Sequence, residues 1–123
     1  MITELIVNRV AGGAVGARRI VMPHSTAGQF VVATASGKFF GVCFQPGGAA
    51  SGERMDIALG GLVEVVAGGT IAAGDPVTSD ASGAAVIAAP AAGVNARVLG
   101  FAHEAAVAGD IFRVLLSPHT MQG

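Results

Sequence analysis

Bulky apolar residues alternate with polar or small ones along much of this chain, with the two-residue period of a β-strand. In residues 54–59, for example, every second side chain is large and apolar. This alternation is typical of a strand that has one buried face. Gly60-Gly61 then interrupts the pattern and predicts a bulge or bend, after which residues 62–66 continue the strand.

Other short segments that are rich in apolar residues also predict strands separated by turns. They are residues 5–10, 19–22, 29–34, 39–44, 75–79, 84–88, 96–101 and 111–116. Ser36-Gly37 is expected to join the third and fourth of them in a hairpin. Residues 102–108 fit either a strand or one turn of helix, because alanine favours helix but the segment is short. The short connections predict a mainly β fold, a small antiparallel β-barrel or sandwich with at most one short helix and a flexible N-terminal arm.

Glycine and aspartate residues mark the expected turns. The tripeptide Ala-Gly-Asp occurs at residues 73–75 and 108–110, each time just before a predicted strand. Glycine adopts a positive φ without a steric penalty, and aspartate can bond back to the turn backbone. Residues 80–83 are a further tight-turn sequence. The residues with expected turn roles are Gly74, Asp75, Gly83, Gly109 and Asp110.

The distribution of glycine also predicts how the chain is divided. Residues 12, 13 and 16 are glycines, so residues 1–18 are expected to form an N-terminal arm with a glycine hinge. Residues 19–117 are expected to form the β domain, and residues 118–123 a loose tail. The glycines do not indicate a phosphate-binding loop, because Ala17-Arg18-Arg19 follows them instead of a Lys-Ser/Thr pair.

The composition suggests that part of the surface is covered by another molecule. The 123 residues fit one domain with one core. They are 52% apolar and only 12% charged, whereas an average soluble domain has about 25% charged residues. A solitary protein of this size would need more charge on its surface. Tryptophan and tyrosine are absent, which removes the usual aromatic anchors for sugars and flipped bases.

The charge pattern argues against nucleic acids and membranes as partners. The net charge is −1, Lys38 is the only lysine, and the arginines are scattered apart from Arg18-Arg19. Binding to nucleic acid requires several clustered cations. No apolar run approaches the 18 residues or so of a membrane-spanning helix, and the N-terminus lacks the pattern of a signal peptide. We therefore expect a protein that folds in the cytoplasm.

No side-chain pattern indicates catalysis, a cofactor or a metal. His24, His103 and His119 lack the close spacing of common metal motifs. Cys43 lies in an apolar run, which favours a buried side chain over a catalytic thiol. The carboxylates are few, and no nucleophile signature is present. We therefore expect no catalytic, cofactor-binding or metal-binding residues.

A succession of motifs resembles the small capsid cement, or head decoration, proteins of tailed bacteriophages. The similarity runs from about Arg19 to Ser117, and it depends on the order and spacing of motifs that are individually ordinary. The motifs are Gly52-Glu53-Arg54-Met55-Asp56-Ile57-Ala58-Leu59-Gly60-Gly61, Val63-Glu64-Val65-Val66-Ala67, Ile71-Ala72-Ala73-Gly74-Asp75-Pro76-Val77-Thr78, Val98-Leu99-Gly100-Phe101-Ala102 and Ala108-Gly109-Asp110, with Val31-Val32-Ala33-Thr34-Ala35 and Gly41-Val42 upstream.

The resemblance implies a structural virion protein that binds the exterior of the assembled capsid and stabilises it. Such proteins are compact β structures that contact the major capsid protein, often as homotrimers at threefold or quasi-threefold positions. No cofactor or catalytic residue belongs to the family. The resemblance therefore implies a protein that is made in the host cytoplasm and resides on the virion.

The N-terminal arm is the expected capsid contact, because a segment with β potential can add a strand to the edge of another protein. Its candidate contact residues are Leu5, Ile6, Val7, Arg9 and Val10. One alternative is a virion-surface β module that binds a host-cell glycan, although the missing tryptophan and tyrosine argue against it. A barrel-type enzyme is a further alternative, and the scarcity of clustered polar residues argues against that one.

Overall fold

The structure is a computed structural model that describes residues 5–35 and 37–122. In this part of the chain the backbone forms ten β-strands joined by turns, and it contains no helix. The mainly β class that the alternation predicted is therefore confirmed. In chain order the strands are β1 (Leu5–Ala11), β2 (Ile20–Pro23), β3 (Gln29–Val32), β4 (Gly41–Cys43), β5 (Arg54–Gly60), β6 (Leu62–Val66), β7 (Pro76–Ser79), β8 (Ala85–Ile87), β9 (Asn95–Ala102) and β10 (Ile111–Gln122).

The first five strands close into a small barrel with the order β1-β3-β2-β4-β5. β1 completes the barrel, because it pairs antiparallel with β5 and, at Val10 and Ala11, parallel with β3. The remaining ladders, β2 with β3, β2 with β4 and β4 with β5, are antiparallel. We call residues 5–60 the first unit.

The last five strands form a second sheet with the order β6-β10-β9-β7-β8. All of its ladders are antiparallel. One isolated parallel bridge, between Ala67 and Ala85, joins the end of β6 to the start of β8. We call residues 62–122 the second unit.

The two units repeat one topology, with a shift of 56 residues between Val21 and Val77. The parallel contact of Ala11 with Phe30 returns as the bridge of Ala67 with Ala85. Each ladder of the first unit has a counterpart in the second. Matching pairs are Val21–Val32 with Val77–Ile87, Val42–Ala58 with Phe101–Leu115, and Val10–Arg54 with Val66–Ile111.

The same turn leads into β2, β5, β7 and β10. It starts after a residue in an isolated β-bridge, namely Val15, Ala49, Ile71 or Ala106. It also contains one residue at positive φ: Arg18 (61°), Gly52 (86°), Gly74 (89°) or Gly109 (91°). In three of these turns a carboxylate accepts a hydrogen bond from the backbone N–H three residues earlier: Glu53 from Ala50 (2.7 Å), Asp75 from Ala72 (2.9 Å) and Asp110 from Val107 (3.1 Å).

The turn between β7 and β8 is held by Asp80. Its Oδ1 accepts hydrogen bonds from the backbone N–H of Ser82 at 2.8 Å and of Ala84 at 3.0 Å. Gly83 has a φ of 78° in this turn. Gly83 also faces the first unit, so this turn contributes to the contact between the units.

The ends of the chain differ from the expected free arm and loose tail. Leu5–Ala11 is a barrel strand, because its partners in β5, Arg54 to Gly60, lie far along the sequence and were not visible in the local pattern. At the other end β10 continues to Gln122, whose partner is Asn95 in β9. Residues 1–4 of the expected arm, Gly123 of the expected tail and Ser36 of the expected turn lie outside the described residues.

Two connections also differ from the sequence-based prediction. The expected hairpin of β3 with β4 is not formed, because β2 lies between these strands and pairs with both. The expected bulge at Gly60-Gly61 is a passage between units, since β5 ends at Gly60 and β6 begins at Leu62 in the other sheet. Gly61 has a φ of 89° at this point, which a residue with a Cβ rarely adopts.

The interiors of the two units contain side chains at equivalent positions. In the first unit they are Ala11, Val15, Val21, Phe30, Cys43, Ala49, Met55 and Ile57. In the second they are Ala67, Ile71, Val77, Ala85, Ala102, Ala106, Phe112 and Val114. The second set is continuous with buried residues of the first unit, among them Ile20, Phe39 and Val42. The two units therefore pack against each other through a shared hydrophobic cluster, while the barrel interior of the first unit forms a cluster of its own.

Candidate binding surfaces

Residues 18–20 make main-chain hydrogen bonds to the second unit, and we call them the inserted segment. The backbone N–H of Val66 donates to the Arg18 carbonyl at 3.0 Å, and that of Ile20 donates to the Gly83 carbonyl at 2.8 Å. In the first unit the equivalent groups bond directly, since the Val10 N–H donates to the Gly28 carbonyl at 3.3 Å. The second sheet is therefore open because the inserted segment occupies its gap.

Side chains extend this contact on both flanks. The Arg18 guanidinium donates from Nε and Nη2 to Glu64 Oε1 at 3.2 and 3.1 Å. Arg19 donates to the Ser82 carbonyl at 3.3 Å, and Arg97 donates to the Phe39 carbonyl at 2.6 Å. The Arg18–Glu64 pair is solvent-exposed, so it adds little to stability in comparison with the apolar contact. A cleft of about 120 Å³ lies beside it, lined by Arg18, Phe44, Pro46 and Glu64.

Three side chains of the first unit form what we call the inner row: Ile20, Val42 and Ala58. They are direct neighbours across β2, β4 and β5. Their chain neighbours Val21, Cys43 and Ile57 fill the barrel, so the inner row points to the outside of the barrel. All three inner-row residues are nevertheless fully buried, because they pack against the second unit.

The equivalent side chains of the second unit form the outer row: Pro76, Phe101 and Leu115. They are again direct neighbours, across β7, β9 and β10. Phe101 is 39% exposed and Leu115 is 52% exposed. The ring of His119 stacks on Phe101, with ring centres 5.5 Å apart. The outer row is therefore an apolar strip on the surface, at the position that is covered in the first unit.

A charged pair lies next to the outer row on the same face of β10. Arg113 donates from Nε to Glu104 Oε2 at 3.0 Å and from Nη2 to Oε1 at 3.3 Å. Its backbone N–H also donates to Glu104 Oε2, at 2.9 Å. These hydrogen bonds lower the pKa of Glu104, and the same contact raises the pKa of Arg113.

The first unit has an open groove of about 610 Å³ at β1, β5 and the turn between β2 and β3, and we call it the cationic groove. Its lining residues are Asn8, Arg9, Val10, Ala27, Gly28, Gln29 and Arg54. Asn8 organises its floor: Asn8 Oδ1 accepts from Arg54 Nη1 at 2.8 Å, and its carbonyl accepts from Arg9 Nη1 at 2.8 Å. The groove therefore presents two arginines that share one asparagine.

Of the candidate arm residues, Arg9 and Val10 line this groove, whereas Leu5, Ile6 and Val7 lie further along β1. Leu5 is 60% exposed and Ile6 is 36% exposed. Arg9 is exposed, while Val7 and Val10 are half-buried. The expected turn residues lie in the second unit, where the bridge of Ile71 with Ala106 brings the turns with Asp75 and Asp110 to neighbouring positions.

The polar residues that the sequence analysis considered for chemistry lie apart or are buried in the described part of the chain. Within residues 5–35 and 37–122, no three His, Cys, Asp or Glu side chains are placed to hold a metal ion. Cys43 is fully buried, and burial raises the pKa of its thiol. His24 Nδ1 accepts a local hydrogen bond from the Thr26 N–H at 3.3 Å. No helix in this part of the chain has the length and apolarity to cross a membrane.

Comparison with known proteins agrees with this architecture. The family of phage cement proteins matches residues 10–117. The chain belongs to the phage cement protein family. The resemblance that the motifs between Arg19 and Ser117 indicated is thus confirmed, and the family match also includes the last two residues of β1, Val10 and Ala11. No curated protein matches.

A solved structure is also similar to this cement-family chain. It is the N base of the head fiber gp8.5 in bacteriophage phi29, with a TM-score of 0.70 and 19% sequence identity. The match covers 98% of this chain and 100% of the solved one. At this level of identity the similarity shows that the fold is shared.

The outer row and the cationic groove were missed by sequence reasoning. Arg9 was noted only as part of an arm, and Arg54 only as a polar position in a strand. The signal for the outer row was present in the alternation of β10, where Ile111 and Leu115 are apolar at positions that face away from the core. An apolar residue at an outward position indicates a covered surface.

Proposed function

We propose that this protein binds the exterior of the assembled phage capsid, as a homotrimer at threefold or quasi-threefold positions, and ties neighbouring major capsid proteins together. Membership of the phage cement family supports the capsid-associated structural role. The role is structural and capsid-associated, as in that family. Synthesis in the host cytoplasm, before attachment to the virion, completes the proposal.

The shape of the surface supports a clamp rather than a catalyst. The two units pack through a shared apolar cluster, and exposed apolar side chains lie in both of them: Leu5 and Ile6 in the first unit, Phe101, Ile111 and Leu115 in the second. Exposed apolar side chains of this kind can form contacts with neighbouring subunits. Apolar contact supplies most of the affinity in such interfaces, and charge supplies specificity.

The edge of β1 is the capsid contact that we favour. Among the described residues, only Val10 and Ala11 of β1 pair with β3, whereas Leu5 to Val10 pair with β5 on the other side. The outer edge of the first half of β1 therefore offers its backbone N–H and C=O groups to a further strand. The capsid-contact role of Leu5, Ile6, Val7, Arg9 and Val10 is retained in this form, as an open strand edge.

Binding to purified shells tests the proposal. Expanded empty shells are incubated with the protein and sedimented, and the shells are then heated. We expect saturable binding and a higher temperature of shell disruption. Failure of the protein to co-sediment with its own phage's shells would refute the proposal.

The role of the β1 edge is tested by the double variant Leu5→Asp, Ile6→Asp. Deleting residues 1–10 is a poor test, because it removes a strand of the barrel. We expect the double variant to keep the melting temperature of the protein within a few degrees and to bind shells at least tenfold more weakly. Val94→Asp, at an exposed position of the second unit, is the matched control and should bind normally.

A further inference from the structure

Equivalent rows of side chains are covered in the first unit and exposed in the second. The inner row of the first unit is fully buried by the second unit. The outer row occupies the equivalent position in the second unit and is exposed at Phe101 and Leu115.

The surface of the second unit that receives the inserted segment also has an equivalent in the first unit. The second unit receives the inserted segment with Glu64, Val66, Ser82 and Gly83. The equivalent positions in the first unit line the cationic groove. They are Asn8 for Glu64, Val10 for Val66, Ala27 for Ser82 and Gly28 for Gly83. The groove is therefore the first unit's version of a surface that already binds another unit.

The charges of the two halves are opposite. Residues 1–60 contain five Lys or Arg and three Asp or Glu, whereas residues 61–123 contain two and five. The cationic groove carries Arg9 and Arg54. The turn that leads to the outer row carries Asp75, at the position that Arg19 occupies in the inserted segment. The end of one copy is thus complementary in charge to the start of another.

We propose that the outer row of one copy packs against the cationic groove of a second copy, head to tail, so that the contact between units within the chain is repeated between chains. This inference rests on the proposed self-association, and it identifies the outer row and the cationic groove as the two surfaces that meet. Because the surfaces differ, the contact is heterologous and a small number of copies can close into a ring. A homotrimer of this kind would be a ring of six units.

The contact between chains differs from the internal one in a defined way. Pro76 stands at the position of Ile20 and has no N–H, so the hydrogen bond from Ile20 to Gly83 has no counterpart. The gap in the first unit is also closed by the Val10–Gly28 bond. Side chains therefore make the contact, and the larger Phe101 and Leu115 replace Val42 and Ala58. An arginine beside the ring of Phe101 adds a cation–π attraction.

The first experiment blocks the outer row. Leu115→Arg places a charge in the strip without disturbing the core, because Leu115 is 52% exposed. Light scattering after size exclusion should show an oligomer for the unaltered protein and the monomer mass for this variant. Val94→Arg is the control, since it adds the same charge at an exposed residue just before β9, away from Phe101, and should leave the oligomer intact. Circular dichroism melting establishes that both variants are folded.

The second experiment distinguishes head-to-tail from face-to-face contact. Arg9→Glu, Arg54→Glu blocks the groove and leaves the outer row intact, so it should also be monomeric. A mixture of this double variant with Leu115→Arg has one intact groove and one intact outer row. We expect the mixture to form dimers that contain one molecule of each variant, and no larger oligomer. If the outer row paired with itself, the double variant would associate alone and the mixture would contain no mixed dimer.

The failures of this inference and of the proposed function are separable. A Leu115→Arg protein that keeps the full oligomer mass overturns the inference, whatever the shells show. An unaltered protein that remains a monomer at about 100 µM overturns it as well. If Leu115→Arg keeps its oligomer and loses only shell binding, the outer row contacts the capsid and the inference is wrong. If the unaltered protein assembles but ignores shells, the proposed function alone is wrong.

Discussion

The two units have one topology but close in different ways. In the first, the Val10 N–H bonds to the Gly28 carbonyl and Phe30 fills the interior. In the second, the inserted segment enters at the same place, and Ala85 stands where the first unit has Phe30. The smaller side chain leaves room for apolar groups of the first unit. The same small fold is therefore closed in one unit and receives a segment of the other unit in the second.

The largest effect is expected from a charge in the inner row. Val42→Asp places a carboxylate among apolar side chains at a site that is fully buried. We expect it to lower the free energy of unfolding by more than about 4 kcal/mol. The equivalent Phe101→Asp, in the outer row, should cost only about 1 kcal/mol at a protein concentration low enough to keep it monomeric. Urea denaturation compares the two, and equal losses would contradict the assignment of covered and uncovered rows.

Local patterns explain why the strands could be predicted from the sequence. Alternation around Met55 and Ile57 reflects the single buried face of β5, and the glycines at residues 74 and 109 have the positive φ that the turns require. The repeat of the two units was not visible. Equivalent positions preserve strand pairing, burial in the two interiors and turn conformation rather than residue type, as the pairs Phe30 with Ala85 and Arg18 with Gly74 show.

The candidate surfaces depend on contacts between residues that are distant in sequence, so they could not be predicted from local sequence patterns. β1 looked like a free arm because its partner β5 begins more than 40 residues later. The twice-used Ala-Gly-Asp tripeptide even obscured the repeat, because both copies belong to the second unit. The counterpart of the first in the other unit is Ala17-Arg18-Arg19, which has a similar turn and no similar residues apart from alanine.

The next largest effect should come from exchanging the interior residues that distinguish the units. Phe30→Ala leaves a cavity in the closed barrel and should cost about 3 to 4 kcal/mol. Ala85→Phe places a ring where the core of the second unit meets the first, and the crowding should cost about 1 to 3 kcal/mol. Tryptic digestion at native temperature adds a second readout, since Ala85→Phe should expose Arg18 and Arg19 by loosening the inserted segment.

If Ala85→Phe leaves the free energy of unfolding unchanged and trypsin cleaves no faster at Arg18 and Arg19, the view that this alanine makes space for the first unit is contradicted. Ala81→Phe is the control. Residue 81 is exposed in the turn between β7 and β8, so the same ring should leave stability almost unchanged there.

A smaller effect should separate two equivalent glycines. Gly28 and Gly83 have φ values of 80° and 78°, so alanine is strained at both positions by about 1 kcal/mol. A Cβ at Gly28 meets nothing within 4 Å, whereas at Gly83 it lies 2.9 Å from the Ile20 carbonyl oxygen of the inserted segment. We therefore expect Gly83→Ala to cost about 1 to 2 kcal/mol more than Gly28→Ala in thermal melting. Equal costs would show that the inserted segment moves away easily.

The smallest effect concerns the charged pair beside the outer row. Glu104 accepts from the Arg113 N–H as Gln45 accepts from the Asp56 N–H in the first unit, at 2.9 and 3.4 Å. Hydrogen bonds lower the pKa of Glu104, so its contribution to stability is present above the unfolded pKa of about 4.3 and is lost as the pH falls through the lower folded value.

Glu104→Gln makes the second unit resemble the first and should remove this part of the acid destabilisation. The melting temperatures of the two proteins should therefore differ at pH 7 and converge towards pH 3, and a difference that persists at pH 3 would assign the effect to packing instead of charge.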